Sequence, residues 1–244
     1  MKHFAEQLRK VPTCTAMDLL RGKEPESFVI KGVKPLLPGN VAVAGRARTL
    51  RFLPTRHDVK KSPNGNVNFD LIDSVNEGDI LVFDTARGLP GSVLGDMLAL
   101  RAKSAGAAAV VTDGNMRDLV GLDAVGLPVF AASTWPVPSA ATLAAWESDV
   151  PIQCGGALVL PGDWILADRD AVLVMPDAIA RQVVGDTDAA LDEEGFCRAL
   201  LERGHTLREA FPMPPALRPL YLDYQKTRTL PDAKVVRSST KLKV

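Results

Sequence analysis

Four residues near the middle of the chain have the types and the spacing to bind a small organic acid. Gly95 and Asp96 precede Arg117 and Asp118, and twenty residues separate Asp96 from Arg117. Glycine leaves room for a ligand beside the backbone, and free amides at the start of a helix bind anions. A planar guanidinium can pair with a carboxylate and a 2-oxo group together, and an aspartate provides the oxygen ligand that a hard divalent cation prefers. The four residues therefore predict a site for an organic anion and a cation.

A strand–helix–strand unit is predicted to bring these residues together. Short apolar runs at Ile80–Phe83 and Ala108–Val111 are typical of buried strands. Between them, the apolar residues of segment 93–102 recur at helical spacing. In a parallel unit of this kind, the start of the helix and the end of the second strand lie at the same edge of the sheet. We therefore expect the amides of residues 95–98 beside the side chain of Arg117.

The same residues also have ordinary structural explanations. Residues 95–98 could be the first turn of a packing helix, and Asp118 could be a helix cap, which is a common role of aspartate. Arg117 would lie near the positive end of a helix dipole, against its electrostatic preference, and this favours a functional role. Four other aspartates are predicted to serve turns: Asp113, Asp123, Asp168 and Asp170.

The rest of the chain is predicted to form one α/β domain with helical ends. Helices are predicted at 4–10, 15–21, 176–184 and 188–203. Strands are predicted at Val41–Ala44, Thr49–Leu53, Val129–Ala131, 156–160, 164–167 and 171–175. Gly114 is predicted to begin a turn, and the polar segment 54–65 an exposed loop. The segment after Phe211 is Pro-rich and then basic, as expected of a peripheral arm or of a disordered tail.

Composition and missing motifs narrow the function. The 244 residues are 46% hydrophobic, and 29 basic residues balance 29 acidic ones, so no field of one sign would recruit nucleic acid or a membrane. No apolar run approaches the length of a membrane span, and no signal peptide is predicted. The three cysteines form no CxxC pair, which favours reduced thiols and a cytoplasmic setting. No Gly-x-Gly-x-x-Gly follows an N-terminal strand, which argues against a dinucleotide site.

The segment GDMLALRAKSAGAAAVVTDGNMRD resembles a family that contains 4-hydroxy-4-methyl-2-oxoglutarate aldolases and the regulator of ribonuclease activity A. The resemblance also covers TCTAMDLL, VAVAGRARTL and VPIQCGGALVLPGDWILADRDAVLVMP. It implies a single-domain α/β fold of the β-β-α swivelling type for residues 1–244, with a central sheet and flanking helices. The family-like core would run from about residue 13 to 204. Residues 205–244 would be an extension or an arm around a neighbouring subunit of a trimer or a pair of trimers.

The resemblance also implies a role for each candidate residue. Backbone amides of four residues would bind the carboxylate of pyruvate or a similar substrate: Gly95, Asp96, Met97 and Leu98. Asp118 would ligate Mg²⁺ or Mn²⁺, and Asp96 would hold a metal-bound or catalytic water. An acidic residue from a neighbouring subunit, Glu193 or Glu194 here, would complete the water shell of the metal.

The predicted activity is metal-dependent cleavage of a C–C bond in a 2-oxo acid. Retro-aldol cleavage of a 4-hydroxy-2-oxo acid and decarboxylation of oxaloacetate both produce a pyruvate enolate, whose charge a metal and Arg117 would stabilise. A Schiff-base mechanism would need a desolvated lysine, and Lys103 is predicted on the solvent side of its helix. Residues that select the rest of the substrate are expected in loop 54–65 or in a partner subunit. The alternative is a non-catalytic regulator that binds an RNA-degrading enzyme, because such relatives can keep the same motif.

Overall fold

The computed structural model describes residues 2–39, 42–59, 61–85 and 89–240. Three parts of the predictions above lie outside the described residues: Val41 of a predicted strand, Lys60 of the predicted loop and residues 241–244 of the tail. The chain forms two compact units, residues 1–184 and 185–244. The prediction of a single domain for 1–244 stays a prediction.

The first unit is a mixed α/β fold with a central sheet and flanking helices. Its strands are β1 (Lys34–Pro35), β2 (Val43–Pro54), β3 (Ile80–Asp84), β4 (Ser92–Leu94), β5 (Ala109–Met116), β6 (Val129–Thr134), β7 (Leu143–Ser148), β8 (Ile152–Cys154), β9 (Ala157–Val159), β10 (Trp164–Ala167) and β11 (Val172–Met175). Its helices are α1 (Lys2–Leu8), α2 (Thr13–Leu19), α3 (Val67–Asp73), α4 (Asp96–Ala105) and α5 (Leu119–Val125). Helix α6 (Asp177–Glu202) begins in the first unit and ends in the second.

The nine-stranded sheet has the order β1-β6-β5-β3-β2-β10-β11, with β4 joined to β5 and β7 joined to β2. Strands β2, β3, β5 and β6 are parallel, and β4 is parallel to β5. The remaining pairs are antiparallel, and β8 and β9 form a separate two-stranded sheet. Because parallel strands end at the same edge, the segments after β3, β5 and β6 all leave the sheet on one side.

Side chains of the parallel strands alternate between two hydrophobic clusters. Leu81 and Phe83 of β3 pack with helices α3 and α4 on one face. Ile80 and Val82 pack on the other face, together with residues of β8 to β11. This alternation follows from the pleat of a strand, which points successive side chains to opposite faces. The resulting core fixes the positions of the strand ends that carry the candidate site.

The predicted strand boundaries needed three corrections. The two strands predicted at 41–44 and 49–53 are one strand, β2. Arg46 and Arg48 do not interrupt it, because their side chains find polar partners while their backbone stays in the sheet; Arg48 Nε, for example, donates to Asp149 Oδ1 (2.8 Å). The segment predicted as helix at 93–94 belongs to β4, and the helix starts only at Asp96. Strand β5 continues through Gly114 rather than turning there. A side chain at Gly114 would come within 2.5 Å of Thr85, so glycine here permits close packing.

The predictions for the acidic turns and the last helices also need revision. Asp113 lies in β5 instead of a turn, where it is buried and accepts hydrogen bonds from Thr85 and from the amide of Gly155. Asp123 lies in helix α5. The turn role of Asp168, between β10 and β11, is confirmed. The two helices predicted at 176–184 and 188–203 are one helix, α6, because a single glycine costs a helix only about 1 kcal/mol.

The second unit contains the end of α6 and three further helices: α7 (Leu207–Ala210), α8 (Arg218–Thr227) and α9 (Ala233–Thr240). Its buried core includes Phe196, Leu217, Tyr221 and Val236. The described part of the tail is therefore folded, and its wrapping around a neighbouring subunit stays a prediction. Among the helices of the described residues, none is both long enough and apolar enough to cross a membrane.

Candidate active site

The candidate site lies at the carboxyl ends of the parallel strands, where Gly95 contacts both Arg117 and Asp118. Gly95 is the residue before α4, Arg117 follows β5, and Asp118 precedes α5. A Cβ atom at Gly95 would lie 2.5 Å from Asp118 Oδ2 and 3.2 Å from Arg117 Nε. These separations are shorter than ordinary contacts, so a larger residue here would displace the side chains of Arg117 and Asp118 from their present positions. Glycine therefore permits the close approach of the two side chains to this turn.

Arg117 is held by its backbone and leaves most of its guanidinium available. Its amide donates to the carbonyl of Leu94 (3.1 Å), which ties the end of β5 to β4. Nε lies 3.1 Å from Asp118 Oδ2, and the side chain is 38% exposed. With the described residues, the terminal guanidinium nitrogens form no hydrogen bond. They can therefore pair with the carboxylate or the 2-oxo group of a bound acid.

Asp118 does not act as the helix cap that its position suggests. It occupies the position before α5, yet its side chain makes no capping hydrogen bond to the described backbone. Its backbone is left-handed (φ 59°, ψ 43°), a conformation that aspartate adopts more often than most non-glycine residues. The side chain is 41% exposed, beside Arg117. The carboxylate is therefore available to a ligand.

The predicted amide site at the start of α4 is only partly open. No side chain caps the helix at Gly95 within the described structure, but Asp96 Oδ1 accepts a hydrogen bond from the amide of Met97 (2.7 Å). The carboxylate of Asp96 also packs on Gly121, where a Cβ atom would lie 2.6 Å from Oδ2. The Met97 side chain is exposed, whereas Leu98 packs against the core. A substrate carboxylate could use the Met97 amide only if the Asp96 side chain moved.

A cleft of about 260 Å³ opens beside Arg117 and Asp118. Its lining is Met116, Arg117, Asp118, Leu119, Thr134, Trp135 and Pro136. The sequence prediction missed Thr134, Trp135 and Pro136. Thr134 is the last residue of β6, and Trp135 and Pro136 follow it. Because β6 is parallel to β5, the rule that predicted Arg117 at this edge could also have found them.

The loop predicted to select the substrate, residues 54–65, has no described residue in this cleft; Asn64 instead lines a separate cleft of about 320 Å³ with Asp70 and Glu147. In the second unit, Glu193 and Glu194 pair with Arg218 (2.8 Å) and Arg198 (3.1 Å). Their role from a neighbouring subunit stays a prediction.

Comparison with known proteins identifies the family to which this chain belongs. The model of the RraA-like family, described as Aldolase/RraA, matches residues 13–174. The chain belongs to the aldolase/RraA family. The matched segment contains Gly95, Arg117, Asp118 and the whole cleft beside them. Glu193 and Glu194 lie beyond it.

Relatives in the aldolase/RraA family cover most of the chain. A Halalkalibacterium halodurans protein, provisionally named 4-hydroxy-4-methyl-2-oxoglutarate aldolase, is 32% identical over 84% of this chain and 92% of its own length. A Thermus thermophilus protein named 4-hydroxy-4-methyl-2-oxoglutarate aldolase is 33% identical over 63% of this chain and 87% of its own. The crystal structure of Streptomyces coelicolor RraAS2, described as an unusual member of the RNase ES inhibitor RraA family, superposes with a TM-score of 0.74. It is 31% identical and covers 81% of this chain and 96% of its own.

Proposed function

We propose that the protein is a lyase that cleaves a C–C bond of a 2-oxo acid and releases pyruvate. The observation that carries the proposal is the exposed guanidinium of Arg117, which lies in an open cleft beside the carboxylate of Asp118. This carboxylate makes no capping hydrogen bond to α5. The aldolase names of the relatives from Halalkalibacterium halodurans and Thermus thermophilus support the same reaction class. Both retro-aldol cleavage of a 4-hydroxy-2-oxo acid and decarboxylation of oxaloacetate belong to the proposal.

Substrate binding in this proposal uses the start of α4 and Arg117. The substrate carboxylate would lie against the amides at residues 95–98, where the helix dipole favours negative charge, and would displace the Asp96 carboxylate from the amide of Met97. Gly95 has no side chain to block this approach. The guanidinium of Arg117 would reach the carboxylate and the 2-oxo oxygen together, because its two terminal nitrogens form a planar fork.

Bond cleavage would follow from charge stabilisation at the 2-oxo oxygen. In the retro-aldol reaction, the C4 hydroxyl gives its proton to a water held by Asp96, the C3–C4 bond breaks, and C4 leaves as a carbonyl compound. The electron pair moves to form the enolate of pyruvate, and the same water returns the proton to C3, which completes the product. Arg117 would stabilise the developing negative charge; removing one such donor typically costs about 3 kcal/mol. In oxaloacetate the same bond breaks with release of CO₂.

The residues present fit a weakly bound divalent cation. Asp118 offers an exposed carboxylate, and Mg²⁺ typically binds through one or two carboxylates while it keeps several waters. Within the described ranges, no cluster of three or more His, Cys, Asp or Glu side chains forms a closed metal cage. A bound Mg²⁺ or Mn²⁺ would be held by Asp118 and would act as a Lewis acid on the 2-oxo oxygen.

Assembly is a further part of the proposal. Exposed apolar side chains occur on the helices that begin at the candidate site, among them Met97 of α4 and Leu119 and Val120 of α5. Such a surface is typical of an interface between subunits. We include in the proposal a trimer or a pair of trimers, in which Glu193 or Glu194 of a neighbouring copy would approach the water shell of the cation. A swivelling-type arrangement of the sheet is also part of the proposal.

The experiment that tests this function measures pyruvate with a lactate dehydrogenase-coupled assay. The full chain is incubated with oxaloacetate or with a 4-hydroxy-2-oxo acid, with Mg²⁺ or after removal of metal by EDTA. We expect pyruvate release faster than in matched reactions without protein only when the metal is present, and recovery of this difference when Mg²⁺ or Mn²⁺ is returned. Full turnover in metal-stripped protein would refute the mechanism. Borohydride added during turnover should leave no covalent adduct, since an adduct would indicate a Schiff-base lysine.

A regulatory role is the second candidate, and it rests on the description of the Streptomyces coelicolor structure as a member of an RNase inhibitor family. The two candidates predict different outcomes of the same assay. A regulator would release no pyruvate from any 2-oxo acid but would bind an RNA-degrading enzyme in solution.

A further inference from the structure

The backbone at Arg117 is held by hydrogen bonds from two other segments of the chain. The Arg117 amide donates to the carbonyl of Leu94, the last residue of β4 (3.1 Å). The preceding carbonyl, that of Met116, accepts a hydrogen bond from the amide of Trp135, the first residue after β6 (2.9 Å). The position of Arg117 therefore depends on β4 and on the segment that follows β6.

A buried side chain joins these two segments to each other. The hydroxyl of Ser92, the first residue of β4, donates to the carbonyl of Trp135. The Ser92 amide donates to the carbonyl of Val137 in the same segment (2.9 Å). The Ser92 hydroxyl thus closes a ring of hydrogen bonds that runs through β4, Arg117 and Trp135. Because Ser92 is only 5% exposed, removal of the hydroxyl would leave the Trp135 carbonyl without this donor.

Strand β4 needs this support because its ladder with β5 is short and irregular. It contains three residues and pairs with β5 at two positions, Ser92 with Asn115 and Leu94 with Met116. The register shifts between these two pairs, and such a shift disrupts the ladder locally. The Leu94 carbonyl, which accepts the Arg117 amide, is therefore held in place partly by contacts outside the ladder.

We infer that Ser92 is a positioning residue for Arg117, whose guanidinium it helps to hold in the orientation that cleavage requires. The inference rests on the proposed lyase function. Ser92 is not among the described residues that line the cleft, so it acts through Arg117 and not by contact with the substrate. A charged donor stabilises an enolate best when it is fixed before the reaction, and a displacement of about 1 Å can cost about 10²-fold in rate.

The first test compares Ser92→Ala with a matched control, Thr49→Val. Thr49 is also buried, and its hydroxyl donates to the carbonyl of Val150 (2.6 Å), but it belongs to β2, which does not pair with β4. Each variant loses one buried hydroxyl that donates to a backbone carbonyl, so both should have a somewhat lower Tm than wild type.

Kinetics at a temperature at which all variants are folded should separate the two. With Mg²⁺ and either oxaloacetate or 4-hydroxy-2-oxoglutarate, kcat of Ser92→Ala should fall about tenfold after subtraction of the rate without protein. KM should change much less, because the interaction strengthens only as charge develops. Thr49→Val should keep the wild-type kcat. A wild-type kcat in Ser92→Ala would overturn the inference and leave the residue a purely structural role.

A double variant tests whether Ser92 acts through Arg117. Once Arg117→Lys has removed the planar fork, the backbone position matters much less, so Ser92→Ala should lower kcat little further in this background. Two effects that simply multiply would show that Ser92 influences the reaction by another route, and the inference would be wrong.

Hydrogen exchange separates failure of the inference from failure of the lyase function. Measured by NMR, the amides of Arg117 and Trp135 should exchange about tenfold faster in Ser92→Ala than in wild type, and at the wild-type rate in Thr49→Val. Unchanged exchange in Ser92→Ala would overturn the inference whatever the activity. Pyruvate release from neither substrate by the wild-type protein would refute the lyase function, and the positioning role with it.

Discussion

Two aspartates of the first unit lie at the start of a helix but differ in the hydrogen bonds that their carboxylates accept. Asp118 precedes α5, and Asp168, in the turn between β10 and β11, contacts the start of α2. Asp168 accepts hydrogen bonds from the amide (2.9 Å) and the hydroxyl (2.7 Å) of Thr13, the first residue of α2. It also accepts hydrogen bonds from the amides of Asp170 and Ala171 in its own turn. Asp118 caps no described amide and contacts only the guanidinium of Arg117 among its described partners. Sequence context alone would assign both residues to caps or turns.

The difference shows how a structural carboxylate and an available one can be told apart. Partial burial raises the pKa of Asp168, but the hydrogen bonds from Thr13, Asp170 and Ala171 outweigh this effect and hold its pKa below the usual range. Its oxygen atoms are saturated by donors of the protein. Asp118 makes no capping hydrogen bond to the described backbone, so its oxygen atoms can bind a cation or a substrate.

The largest expected effect separates the two aspartates by activity. Asp118→Asn keeps a side-chain oxygen but removes the charge that a divalent cation needs, so pyruvate release should be abolished. Because Asp118 does not cap α5, the free energy of unfolding measured in urea should change by less than about 1 kcal/mol. Asp168→Asn is the matched control and should keep its activity at temperatures at which it is folded. An Asp118→Asn protein that unfolds much earlier yet turns over normally would show that Asp118 is structural.

Arg117→Lys tests whether the partner of Asp118 acts in catalysis or only in binding. Lysine keeps the charge but loses the planar fork that can address two oxygens. If the guanidinium stabilises the enolate, kcat should fall about 10²-fold, with a smaller change in KM, because the interaction strengthens as charge develops. Steady-state kinetics of the lactate dehydrogenase-coupled reaction would measure both. A tenfold rise in KM at constant kcat would assign Arg117 to ground-state binding alone.

The smallest expected effect concerns the stability that Asp168 provides. Asp168→Asn should lower the free energy of unfolding at pH 7 by about 1 kcal/mol, because hydrogen bonds to a charged group are typically stronger than those to a neutral one. A carboxyl whose pKa is lowered in the folded state stabilises the protein above its unfolded pKa, about 3.9, and loses this effect as the pH falls through the folded pKa. The difference between wild type and variant should therefore be constant above about pH 5 and should shrink below about pH 4. Urea titrations from pH 7 to pH 3 would show this, and a difference independent of pH would contradict the assigned role of the charge.

Local patterns were sufficient to predict the strand–helix–strand unit around residues 80–111. The buried strands β3 and β5 have uninterrupted apolar runs, and parallel topology restricts where their ends can lie. Gly95 and Arg117 were predicted as neighbours on this basis, and the structure places them in contact. By contrast, β2 and α6 were each predicted as two elements, because a local pattern cannot show that neighbouring elements support a polar residue or a glycine.

The sequence by itself determined the class of fold, the family and the edge of the sheet at which the Gly-Asp and Arg-Asp pairs meet. Periodicity, turn residues and these two motifs are local properties, and the strand–helix–strand order then restricts β3 and β5 to a parallel pair. Only the tertiary structure showed that Asp118 does not cap its helix and has a left-handed backbone. It also showed that Asp96 accepts a hydrogen bond from the amide of Met97 and that Trp135 lines the cleft. These features depend on backbone dihedral angles and on contacts between segments far apart in the chain. Residue types and their spacing do not specify them.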